Sequence, residues 1–131
     1  MRNVITIYGA LRGLATLGNA IYFLWFFYHG IDSGFVGAGV EVAAWIGLFA
    51  LLIFNVILFG MLADALESIG LMANGIGLIE VLYSGIAFGF GGSLIQFVSH
   101  FGILLLLLLN IGLLIFKRTS TAQSSLGEER P

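Results

Sequence analysis

The sequence predicts an all-α integral membrane protein, a compact bundle of four transmembrane helices. Four apolar stretches fill most of the 131 residues, each about long enough to span roughly 30 Å of hydrocarbon as a helix. Only 9% of the residues are charged, against about 25% in a soluble globular chain, and the mean hydropathy is +1.09. A water-soluble domain of this size could not hide so much apolar surface. The apolar runs are continuous rather than alternating, which disfavours a transmembrane β-barrel.

The first helix is expected over about residues 4–28. Its start resembles a targeting peptide, but the stretch is too long and too aromatic at its end (YFLWFFYH) for the short core of a signal sequence. Tyr22, Trp25 and Tyr28 suit an interface, where an apolar ring carries a polar handle. The glycine-rich linker HGIDSGFVGAGVE follows, and the second helix covers about 42–63. A polar turn, DALES at 64–68, leads to the third helix at about 69–90. The glycine hairpin FGFGGS at 88–93 leads to the fourth at about 94–116, with six leucines at 104–109. Lys117 and Arg118 close it, so residues 1–118 form the transmembrane domain. Residues 119–131 are polar, end in the chain's one proline and read as a disordered tail. The seven glycines across 70–92 leave a re-entrant third segment as an alternative. Two copies of an inverted two-helix repeat would also give four helices, but the apolar runs show no convincing internal similarity.

An even number of spans puts both termini on one side. Arg2, Arg12, Lys117, Arg118 and Arg130 lie at or near the terminal ends, whereas the first linker carries Asp32 and Glu41. The positive-inside rule therefore predicts cytoplasmic, or topologically equivalent, termini. The net charge of −2 and the lack of a basic run imply no nucleic-acid partner. With no cysteine, disulfides and thiolate chemistry are excluded.

Polar residues inside the spans carry the functional reading. Counting about 1.5 Å per residue from the inner ends sets Arg12, Asn55, Glu80 and Asn110 at depths of about 9–16 Å. They form one intramembrane band, with Arg12 as the expected charge partner of Glu80. Ionised side chains are costly in hydrocarbon, and an Arg–carboxylate pair with amide neighbours can satisfy its own hydrogen bonds. Arg12, Thr16 and Asn19 share a helical face. Glu80 projects from the small-residue stripe Ala73, Gly77, Ser84 and Ala87. Gly9/Gly13 and Gly85/Gly89, with Gly77, are candidate helix-packing positions that allow close backbone approach. His29, Gln96, Ser99 and His100 form a possible outer-side polar site. Their spacing does not support a metal centre, and no cofactor is predicted, although a haem shared with a partner subunit stays open.

No HExxH, nucleophile elbow or Walker lysine loop is present, so an enzyme is disfavoured. The leading expectation is a small membrane subunit or accessory protein, embedded in the bilayer with copies of itself or other membrane subunits. The alternative is an oligomeric ion or proton channel, or a small transporter, using the Glu80-centred band.

Overall fold

The computed structural model describes residues 2–32, 39–61, 64–89 and 93–128. These residues form four α-helices: α1 (Arg2–Asp32), α2 (Gly39–Met61), α3 (Glu67–Phe88) and α4 (Leu94–Glu128). A 3₁₀ turn, Asp64–Leu66, precedes α3. Three helices contain segments long and apolar enough to cross a membrane: Thr6–His29, Glu67–Ala87 and Leu94–Ser120. The apolar part of α2, Ile46–Met61, is shorter.

α3 is one continuous helix through Gly70, Gly75, Gly77 and Gly85, which removes the re-entrant alternative. It ends at Gly89, whose φ of 83° favours a residue without a Cβ. α1 runs past the expected end at residue 28 and through Gly30. The centre of the first linker, 33–38, and residues 90–92 of the hairpin lie outside the described residues. α4 also outruns its expected end, continuing through the segment read as a disordered tail as far as Glu128. Nothing there breaks a helix before Gly127 and Pro131. The hydroxyls of Thr119 and Ser120 turn back onto the Phe116 carbonyl, at 2.9 and 3.0 Å, rather than capping an end.

The helices pack in the cyclic order α1, α2, α3, α4 and back to α1. Contacts run in opposite directions along every neighbouring pair, so the chain goes up, down, up, down. Two apolar layers fill the interior. One contains Leu51, Leu52, Val81, Ile103 and Leu107. The other, toward the chain termini, contains Ala15, Leu58, Phe59, Leu113 and Leu114. The leucine run of α4 divides by helical phase: Leu104, Leu106 and Leu107 are buried, while Leu105 and Leu108 face outward.

The chain is an internal duplication, contrary to the sequence expectation of no repeat. Shifting by 55 positions aligns Asn19 with Asn74 and Asn55 with Asn110. LGNAI at 17–21 falls on MANGI at 72–76, YHGIDSGF at 28–35 on YSGIAFGF at 83–90, and GLFALLIFN at 47–55 on GILLLLLLN at 102–110. The repeat is parallel, not inverted: each copy is one helical hairpin, and a rotation about the bundle axis exchanges them.

Candidate functional site

Between the two apolar layers lies a ring of four asparagines, one from each helix. Asn19, Asn55, Asn74 and Asn110 are all 0% exposed. Asn55 donates to Asn19 Oδ1 (3.1 Å) and Asn74 Oδ1 (2.9 Å). Asn110 donates to the same two oxygens, at 3.2 and 3.1 Å. Asn74 donates to Asn55 Oδ1 (2.8 Å), and Asn19 to Asn110 Oδ1 (3.2 Å). The last two N–H groups go to carbonyls one turn back, Asn19 to Ala15 (2.7 Å) and Asn74 to Gly70 (2.8 Å). All eight amide hydrogens are used, and no buried side-chain nitrogen or oxygen among the described residues lacks a partner.

This pattern has the twofold symmetry of the duplication. Exchanging Asn19 with Asn74 and Asn55 with Asn110 maps every bond onto another. The positions supporting the ring are small in both halves: Ala15 and Gly70 leave their carbonyls open to the amides. Gly70 is close-packed, since a Cβ there would stand 2.5 Å from Leu58 Cδ2.

The ring contains two members of the expected band, Asn55 and Asn110, and leaves out the other two. Arg12 lies seven positions before Asn19, about 10 Å to the terminal side of the ring. Glu80 lies six positions after Asn74, about 9 Å to the other side. α1 and α3 run in the same direction, so these offsets add instead of cancelling. The expected Arg12–Glu80 ion pair does not form among the described residues. The depths misled because α1 begins well before the bundle does. Measured from the ring, Arg12 is level with Glu67, its equivalent in the repeat and the first residue of α3. That level also holds the Lys117–Glu67 ion pair and the Arg118–Ser68 hydrogen bond (2.9 Å). Arg12 thus belongs to a charged layer closing one end of the bundle.

The sequence reading puts Asn19 on the Arg12 face outside the band and gives Asn74 no role, whereas both belong to the ring. The signal was available: one asparagine per span, two of them 36 residues apart within each hairpin.

The four outer-side residues lie beyond the ring, on the side away from the chain termini. His29 is exposed, with its ring 4.5 Å from Trp25 and 5.7 Å from Tyr28. Ser99 accepts, through its carbonyl, a hydrogen bond from Tyr22 Oη (3.3 Å). Counted from the ring, His29 lies ten positions beyond Asn19 and His100 ten positions beyond Asn110, so both histidines stand about 15 Å out on neighbouring helices. The Gln96 backbone N–H donates to Ser93 Oγ (3.3 Å). No group of three His, Asp or Glu gathers among the described residues.

Of the packing glycines, Gly77 is buried against Leu51, whose Cδ2 would stand 2.5 Å from an added Cβ, and Gly85 is buried in the same helix. Gly9, Gly13 and Gly89 would meet nothing within 4 Å. Those three do not mark helix contacts within one chain. No protein-family model matches the chain, and comparisons with curated proteins and with solved structures find no match.

Proposed function

We propose that the chain is a four-span membrane subunit that works as a non-catalytic structural component of a membrane assembly. In this reading its helices form a transmembrane bundle, with both termini on the cytoplasmic or equivalent side. The closed asparagine ring is the observation that carries it. A pathway for ions or protons needs polar groups that can exchange partners with water. Here every ring N–H is committed to another buried group, which suits a lock between helices.

The lengths and charges fit. α2 and α3 have 23 and 22 residues, about 33 Å each, close to a hydrocarbon core. Arg12, Lys117 and Arg118 fall at one end of that span, where basic side chains reach the headgroups. The outward faces carry Leu24, Ile76, Ile86, Leu105 and many similar residues, as a lipid- or protein-covered surface requires.

Reconstitution into proteoliposomes tests the reading against its rival. A structural subunit leaves vesicles silent to protons and monovalent ions, and gentle purification yields it within a larger assembly. Flux through wild-type protein that is lost in an assembly-competent Glu80→Gln variant would favour the channel or transporter.

A further inference from the structure

Beyond the charged layer, the twofold match between the halves fails most clearly in the groove between α2 and α3. On α3, Gly77 faces Leu51 of α2, and Glu80 and Ser84 continue that edge three and seven positions on. On α2, Phe54 faces Gly70 of α3, and Ala50 and Gly47 continue that edge four and seven positions back. Ala50 and Gly47 are exposed, and a Cβ on Gly47 would meet nothing within 4 Å.

In the equivalent groove between α4 and α1, the positions of Gly77, Glu80 and Ser84 carry Tyr22, Trp25 and His29. Leu105 stands for Ala50. Tyr22 fills that groove beside Gly102, and Trp25 and His29 stand exposed further along the same edge of α1. Tyr22 lies over Gly102 and hydrogen-bonds across to the Ser99 carbonyl, and Trp25 packs on His29. The α2/α3 side has lost three rings and gained one carboxylate. The result is a furrow floored by small residues.

We propose that this furrow receives one transmembrane helix of another polypeptide, and that a Lys or Arg on that helix pairs with Glu80. The proposal rests on the subunit reading above and names the surface and the chemistry of its partner. Charge complementarity selects the occupant. Glu80 is half-buried and makes no hydrogen bond or ion pair among the described residues. It lies about 9 Å beyond the ring, near the middle of the span set by α2 and α3. An ionised carboxylate at that depth is costly without a partner.

A second copy of this chain brings neither Lys nor Arg to that level. In the same orientation its Arg12 and Lys117 would lie about 20 Å below Glu80 along the axis. An inverted copy would carry them to the far end of the span, about 12 Å above it. The missing aromatic volume calls for a helix with bulky apolar residues around its basic one.

Disulfide trapping in bilayers tests this, because the full chain has no cysteine of its own. The probe is a synthetic Leu/Ala transmembrane peptide with one central Lys and one Cys, compared with the same peptide bearing Leu in place of Lys. Ala43→Cys reports the α2/α3 furrow, and Val98→Cys the equivalent filled groove. Trapping of the Lys peptide at Ala43→Cys should exceed that of the Leu peptide about tenfold or more. It should exceed trapping at Val98→Cys similarly. Glu80→Gln should reduce it to the level of the Leu peptide. Ala50→Leu, which copies the exposed Leu105 of the other half, should block it in a bundle that still folds. Equal trapping of the two peptides, or of the two grooves, overturns the proposal. So does efficient cross-linking of two copies through Ala43→Cys without peptide, which would assign the furrow to self-association. Proteoliposome flux is scored separately: conducting vesicles would remove the subunit reading, whereas silent vesicles with no selective trapping would remove only the docked helix.

Discussion

An asparagine side chain in an apolar interior brings two N–H donors and a carbonyl, and each left unmade costs about 1–3 kcal/mol. Four such residues are tolerated here because each supplies what the next lacks. Depth counting from the expected inner ends, residues 63 and 116, put Asn55 and Asn110 in one band, and both lie in the ring. It misjudged Arg12, because the N-terminal part of α1 extends beyond the bundle and nothing in its composition marks the boundary. The same counting could not supply rotation angles, and a third of a turn separates Glu80 from Asn74 around α3. Glycines behave likewise: spacing alone proposed Gly13 and Gly77 as equals, but only Gly77 is packed. Gly77→Leu should lower thermal stability in detergent by about 1–3 kcal/mol through overpacking against Leu51. Gly13→Leu, pointing into open space, should stay within about 0.5 kcal/mol of wild type. Equal losses would show that both glycines are packed.

At the level of elements, hydropathy was enough to read four helices and most of their boundaries. The duplication was harder to read, because leucine- and glycine-rich spans resemble one another by composition. It becomes plain once the asparagines fix the register. Each repeat is a helical hairpin whose polar group is satisfied only by the other hairpin. Co-expressed fragments 1–63 and 64–131 should therefore reassemble into a complex that co-purifies. Asn74→Ala in the second fragment should weaken that complex several-fold, since about 1 kcal/mol of interhelical hydrogen bonding corresponds to about fivefold in affinity. Fragments that are separately stable and indifferent to each other would contradict the shared ring. The Lys117–Glu67 pair sits near the bundle end, where such pairs contribute about 0–1 kcal/mol. Glu67→Gln should change stability by no more than that, and less at high salt.

For the whole molecule, the charged layer at one end and the even number of helices predict an orientation that composition alone had suggested. Cysteines introduced singly at Ser33 and Ser124 should react with impermeant reagents from opposite sides of intact vesicles. Labelling of both from one side would break the four-span topology. The ring's role as a lock is tested most directly by thermal unfolding of a double-mutant cycle in matched detergent. Asn55→Ala and Asn74→Ala remove neighbours joined by two hydrogen bonds, whereas Asn19→Ala and Asn74→Ala remove diagonal residues joined by none. Each single variant should lose about 1–3 kcal/mol. The neighbouring pair should lose less than the sum by about 1 kcal/mol, because the second removal no longer strands a partner, and the diagonal pair should show a smaller coupling. Additive losses for both pairs, or single variants as stable as wild type, would contradict the lock.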